Sequence, residues 1–249
     1  MRSILIPDKS DTMLKKFYNT QDDKIWFSRQ QASDFAKQVA DDFNPLHDID
    51  AKRFCVPGDL LFAVTLEKAG LSQQMKFEFS GMVTDNIELN FPDKIDHTFD
   101  INDEKEKVYV SVTAEGENSQ CSTLIESLIS AYVGFSGHTF PHILCQLMAE
   151  KEVMINPARP MIMYESMEIN MTNLAVSEVS LKLASTSLTI DGKRGNACLA
   201  FDLFDPSGEK VGSGVKHMVL SGLRPYCAET IADITSNYLA MKERYHQAA

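Results

Sequence analysis

Phe35, Val39 and Phe43 recur at four-residue spacing behind Ser28 and Gln31, which are placed as a capping box, so the pattern predicts a first helix that Pro45 ends. Residues 1–26 ahead of it mix charge and turn formers and are expected to form an arm with a short strand or turn of its own. A second helix of about a dozen residues is predicted after Pro57-Gly58, carrying Leu60, Leu61, Val64 and Leu66 and stopping at Gly70. Strand patterns follow at 75–90 and 108–114, with Glu115-Gly-Glu-Asn-Ser119 as a turn between 114 and the next segment. Cys121 to Phe135 carries Leu124, Ile125, Leu128, Ile129, Tyr132 and Val133, a spacing that fits either a helix or a long strand; strand is favoured.

The order then repeats. Phe140 to Lys151 reads as a helix with Pro141 in its first turn, followed by alternating segments at 162–174, 179–190, 196–204 and 211–220. Val211, Ser213, Val215, His217 and Val219 share one face of the last. Asp191-Gly192 and Pro206-Ser-Gly208 supply hairpin turns, and a helix from Pro225 to about Tyr245 closes the chain. The expected division is therefore 1–26, 27–137, 138–224 and 225–249. Helix followed by antiparallel strands, twice, makes the chain α+β.

Composition narrows the partners. The 249 residues are 44% hydrophobic and 24% charged, ordinary for a soluble globular chain, and no stretch reaches the length of a membrane span. A net charge of -11 argues against a broad nucleic-acid or anionic-membrane surface. The five cysteines are odd in number and show no C-x-x-C pair, which suits a reducing compartment; no signal-peptide core precedes Trp26, and cytoplasm is the expected location.

The candidate chemistry sits at the exit of the first helix, where residues 42–47 read Asp-Phe-Asn-Pro-Leu-His. Asn-Pro forces a turn, so Asp42 and His47 fall on either side of a bend and can share one water or substrate, the minimum for general acid-base chemistry. The same residue types are also those of an ordinary Asx-type turn with a surface histidine. Together with Phe27-Ser28 opening the helix, the hexapeptide resembles the hydratase motif of the MaoC-like, (R)-specific enoyl-CoA hydratases of the hot-dog superfamily.

The resemblance implies a hot-dog fold, here a double hot-dog with an antiparallel sheet wrapped around a central helix in each half. It implies Asp42 and His47 as a catalytic pair that holds and activates water, with an acyl-CoA or acyl-carrier thioester as substrate and no further cofactor. Asn44 would orient the pair or simply form the turn. The start of the second helix would hold the enolate oxygen on free backbone N–H groups, with Gly58 allowing close approach. Here the chain departs from the family, with Pro57-Gly58-Asp59 where a His-Gly-Met-like triplet is common. Pro57 removes a donor, and an inward Asp59 about 5 Å from an enolate would oppose it by roughly 3 kcal/mol at an effective dielectric near 20. An outward Asp59 would merely complement the helix dipole. Inward, it would point to a different reaction or substrate.

Other candidates are weaker in chemistry. Cys55 lacks neighbours that would lower its pKa and reads as a small apolar filler. His138, His142 and Cys145 lack a fourth ligand for zinc and are interrupted by Phe140-Pro141, so no metal is expected. His217 reads as a packed or edge residue, and His97 and His246 lie in polar surroundings. Three functions stay open: a hydratase or dehydratase, a thioester hydrolase in which a carboxylate activates water against the carbonyl, and a non-catalytic module binding an acyl group or a protein. A homodimer is possible, although a double hot-dog chain can complete the usual two-subunit unit within itself.

Overall fold

The computed structural model describes residues 12–248. Residues 1–11 of the expected arm lie outside the described part; the rest forms a 3-10 turn at Lys15–Phe17 and a hairpin of β1 (Asn19–Gln21) and β2 (Lys24–Trp26). Asp22 and Asp23 make its tight turn at φ 49 and 63. Helix α1 (Arg29–Gln38) begins on the full capping box, with the Ser28 hydroxyl accepting from Gln31 N–H and the Gln31 side chain accepting from Ser28 N–H. It ends earlier than Pro45, because Asp41 takes a left-handed conformation at φ 53.

Helix α2 (Gly58–Ala69) is buried almost all round, as a helix inside a wrapped sheet must be, and Gly70 at φ 83 stops it. Strand β3 (Leu71–Phe79) follows, then β4 (Leu89–Asn90), which joins the β1–β2 hairpin, β5 (His97–Asn102) and β6 (Val108–Ser119). The predicted turn at 115–119 is instead the far end of β6, which runs on past an irregularity in its pairing with β3, where Gly116 sits at φ 80.

Residues 122–137 form helix α3 (Ser122–Gly137), which corrects the strand reading of that segment. Leu124 and Ile125, Leu128 and Ile129, and Tyr132 and Val133 are all buried. A helix brings such adjacent pairs to one stripe, whereas a strand would send each pair to opposite faces. The predicted helix from Phe140 is accordingly shorter, because Phe140 is extended and regular helix resumes only at α4 (Leu144–Glu150). After β7 (Val153–Met154) come β8 (Ile162–Met171), β9 (Ser180–Asp191), β10 (Arg194–Phe204) and β11 (Lys210–Ser221), then β12 (Arg224–Pro225) and helix α5 (Ala228–Ala248).

One seven-stranded sheet, antiparallel at every junction, runs in the order β5-β6-β3-β8-β11-β10-β9. The two halves join where β3 pairs β8, with Phe77 opposite Met167. Both residues are fully buried in the core that also contains α2 and α3, and the α+β architecture is a double hot-dog. On β11 the face turned to the helices is Gly212, Gly214, Lys216, Met218 and Leu220. These pair across to the core residues Leu203, Phe201, Leu199, Ala197 and, at Leu220, Gly195 on β10. The middle of the opposite face, Ser213, Val215 and His217, is only half-buried, whereas Val211 and Val219 toward the strand ends are buried as well. The β8–β11 register shifts between His217 and Met218, so that Met218 lies opposite Tyr164. Such a shift re-aims side chains next to it.

Candidate active site

The turn after α1 is held from three directions. Asp42 N–H returns to the Ala36 carbonyl at 2.8 Å. Asn44 caps the 3-10 turn Pro45–His47 by accepting from Leu46 N–H at 3.1 Å, while its own N–H donates to Asp42 Oδ1 at 2.9 Å. Asn44 is thus both turn former and orienter. Gly137, the last residue of α3, lies against the same turn; a Cβ there would stand 1.7 Å from the Ala40 carbonyl oxygen, so only glycine fits.

His47 Nδ1 lies 2.7 Å from the Cys55 carbonyl, which requires that nitrogen to carry the proton and leaves Nε2 facing Asp42 Oδ2 at 3.8 Å. The structure therefore brings Asp42 and His47 together across the bend, with 24% and 13% of their side chains accessible. Tyr238 of α5 completes the arrangement, its hydroxyl donating to Asp42 Oδ1 at 3.3 Å and accepting from Phe43 N–H at 3.1 Å.

The second element of the site is the start of α2. Asp59 is turned inward, 9% exposed, and its Oδ2 accepts from the Ser136 hydroxyl at 2.5 Å. Ser136 in turn accepts from Lys216 Nζ, which is 5% exposed and lies 4.3 Å from the centre of the Tyr164 ring. Asp59 Oδ1 has no hydrogen-bond partner among the described residues. The space vacated by the missing Cβ of Gly58 is filled by aromatic rings, with Tyr164 Cδ1 at 2.9 Å and Phe79 Cε1 at 3.1 Å from where it would be. These two rings stack at 4.3 Å. Gly58 therefore serves ring packing at the helix start.

Asp42, Asn44, His47, Gly58, Asp59, Ser136, Lys216 and Tyr238 all line one cavity of about 650 Å³. That size lies within the usual range of small-molecule sites. Apolar walls come from Met82, Phe140, Leu144, Ile155 and Met218, and Arg53 and Arg194 also border it.

Burial pushes the Asp42 carboxyl above its ordinary range; the charge of Asp59 adds to this, while His47, the Asn44 N–H and Lys216 draw it back only in part. Burial likewise holds Lys216 below the usual lysine range, against the opposing pull of Asp59 and Asp42. Burial pushes the Cys55 thiol up to about 11, which keeps it protonated and fits a filler rather than a nucleophile.

Of the remaining candidates, His138 and His246 donate toward Asp41 at 3.1 Å each, joined there by Lys242, so that α5 is clamped beside the motif. The His142 ring is 6.1 Å from that of His138, and Cys145 contacts Thr235. Among the described residues no group of three or more His, Cys, Asp or Glu side chains could hold a metal ion, and no helix is long and apolar enough to cross a membrane. All five cysteines are free.

Lys216, Ser136, Tyr164 and Tyr238 were not singled out by sequence reasoning. The one available signal was Lys216 itself, a cation in the interior of a strand otherwise rich in valine and glycine.

A family model described as "Protein of unknown function (DUF3581)" matches residues 12–229. No curated protein matches the sequence. Among solved structures, the chain is similar to a hot-dog fold protein of unknown function from Alicyclobacillus acidocaldarius, at 6% identity and a TM-score of 0.46, covering 87% of this chain and 100% of that one. It is also similar to the tesB protein of Mycobacterium avium subs paratuberculosis, at 11% identity and a TM-score of 0.39 over 67% of this chain and 87% of that one. An acyl-CoA thioesterase II from Mycobacterium marinum gives 12% identity and a TM-score of 0.37 over 69% and 90%.

Proposed function

The chain belongs to the DUF3581 family, and from the contents of its cavity we propose that it is an enzyme acting on acyl thioesters, with hydrolysis of the thioester as its reaction. The observation that carries this reading is the inward turn of Asp59 toward the same largely apolar cavity that the Asp42–His47 pair lines. Both reactions ask for a base on water and for positive charge near the carbonyl oxygen, and hydration asks in addition for an acid over the α-carbon, a further demand on a polar end already occupied by Asp59.

In this reading the acyl chain lies along the apolar wall. Asp42 and His47 hold a water between Oδ2 and Nε2, and Asp42 takes its proton as the oxygen attacks the carbonyl carbon. The carbon–sulfur bond then breaks, the proton held by Asp42 passes to the departing sulfur, and the thiol and the carboxylic acid leave with Asp42 again ionised. Asn44 and Tyr238 keep Asp42 aimed through their bonds to Oδ1. The substrate class is an acyl-CoA or acyl-carrier thioester.

A second reading, hydration of an enoyl thioester by a MaoC-like enzyme, is favoured by the direct approach of Asp42 to His47 within the Asp-Phe-Asn-Pro-Leu-His sequence. One experiment separates the two. Purified protein is incubated with butyryl-, octanoyl- and crotonyl-CoA while thiol release and enoyl absorbance are followed together. Thiol release from the saturated substrates above an Asp42→Asn control is the expected result. Loss of enoyl absorbance without thiol release would replace hydrolysis by hydration, and neither signal on any chain length would remove both.

A further inference from the structure

We infer that Lys216 is the electrophile of this site, its ammonium binding the thioester carbonyl oxygen and stabilising the negative charge that develops on it. The inference rests on the thioester reading above, but not on which of the two reactions occurs, since hydrolysis and hydration both build charge on that oxygen.

The start of α2 does not suffice for the task. A helix N-terminus offers free N–H groups and a favourable dipole to an anion, yet Pro57 has no N–H and Asp59 brings a carboxylate into the same place. With Asp42 nearby, the polar end of the cavity would hold two carboxylates around a developing oxyanion. Lys216 is the buried cation that lines the same cavity, and both Asp59 and Asp42 pull on its charge.

Its position is fixed rather than floating. Lys216 stands on the helix-facing side of β11, between Gly214 and Met218, and is held by donation to Ser136 and by the Tyr164 ring face. Tyr164 in turn packs on Gly58, so the ammonium is tied to the helix start through one ring. An ammonium has three donors. Ser136 accepts from one and the aromatic face takes a second, which leaves one for a carbonyl in the cavity that Lys216 lines.

The test compares wild type with Lys216→Met and Lys216→Arg. Lys216→Met is expected to lower kcat about 100- to 1,000-fold, the usual effect of losing one oxyanion donor, with KM changed only a few-fold. Wild-type activity is expected to fall on the alkaline side at a pH below the ordinary lysine range, and Lys216→Arg to carry that limb to higher pH; a merely structural lysine would not move it. A ketone analogue of butyryl-CoA, with methylene in place of sulfur, gives a readout without turnover. Its carbonyl stretch should drop in frequency on binding to wild type and not to Lys216→Met. Should Lys216→Met fail to fold, Asp59→Asn/Lys216→Met removes both charges and is expected to show the same loss of kcat and of the carbonyl shift.

A Lys216→Met enzyme within three-fold of wild type in kcat, or an unchanged carbonyl shift, overturns the inference. If wild type shifts the ketone through Lys216 yet releases no thiol, the inference stands and hydrolysis falls. If the analogue does not bind wild type, the thioester reading falls and this inference with it.

Discussion

Removing the positive charge of Lys216 should destabilise the fold far more than removing both charges of its pair. Lys216 and Asp59 are 5% and 9% exposed and are bridged by a single hydroxyl, that of Ser136. Spanned by one oxygen, the two charges stand roughly 5 Å apart, an attraction of roughly 3 kcal/mol at an effective dielectric near 20. Lys216→Met deletes that attraction and leaves Asp59 buried beside Asp42, for which breaking a buried pair suggests a loss of about 3–5 kcal/mol. In a chain of this size each kcal/mol moves Tm by roughly 2–4 °C, so a fall of roughly 10 °C is expected. Asp59→Asn/Lys216→Met retains shape without either charge and should lie within about 1 kcal/mol of wild type. The assay is urea unfolding of wild type, the two single variants and the double at neutral pH, taken as a double-mutant cycle. A coupling energy below about 0.5 kcal/mol would mean that the charges do not sense each other, and the electrostatic account of the inward Asp59 would fail with it.

The acid limb of kcat/KM should lie above the ordinary aspartate range, because burial raises Asp42 and the base must be ionised; activity rises with pH through that raised value, and Asp42→Asn should abolish the rise. Asp41 titrates the other way: burial alone would push it up, but hydrogen bonds from Lys242, His246 and His138 outweigh burial and hold it below its usual value. Its contribution to stability is therefore present above the unfolded-state pKa and is lost as pH falls through the lower folded value, so acid unfolding of Asp41→Asn should show a shallower pH dependence than wild type. Gly137→Ala places a methyl 1.7 Å from the Ala40 carbonyl, and the strain should exceed the usual overpacking cost of about 1–3 kcal/mol and suppress turnover by displacing Asp42; a well-folded, fully active variant in thermal melts and thiol-release assays would contradict the packing.

Local signals in the sequence were legible where they are set by neighbours along the chain. Ser28 and Gln31 do cap α1, Gly70 does stop α2, and the bend at Asn44-Pro45 does place Asp42 opposite His47. Errors came where two periods overlap or where tertiary pairing wins. Paired apolar residues at 124–125, 128–129 and 132–133 satisfy a helix and also give a long apolar run, and only the helix brings each pair to one buried stripe. Glu115-Gly116-Glu117-Asn118 has turn composition but lies opposite residues 72–74 of β3, whose pairing keeps it extended.

Lys216 was hidden for a different reason. Alternation along β11 offers two faces, one with Val211, Val215 and Val219 and one with Gly212, Gly214, Lys216 and Met218, and hydrophobicity alone selects the valines. The sheet selects the other face, because its neighbours on β10 are Leu203, Phe201, Leu199 and Ala197, all of them core. Both glycines sit where the β8 backbone comes close, with a Cβ at Gly214 falling 2.3 Å from the Phe201 ring and one at Gly212 falling 3.3 Å from Leu203. A face that is half glycine reads as polar in sequence and is packed in space. A lysine on such a face enters the interior without disturbing the pattern, and there its charge must be met by something ionic or dipolar. Asp59 is met by the same logic from the other side, since an acid in the first helical turn looks like ordinary dipole complementation until the helix proves to be buried almost all round. Each residue alone has an unremarkable reading; buried together around Ser136, the two make each other necessary.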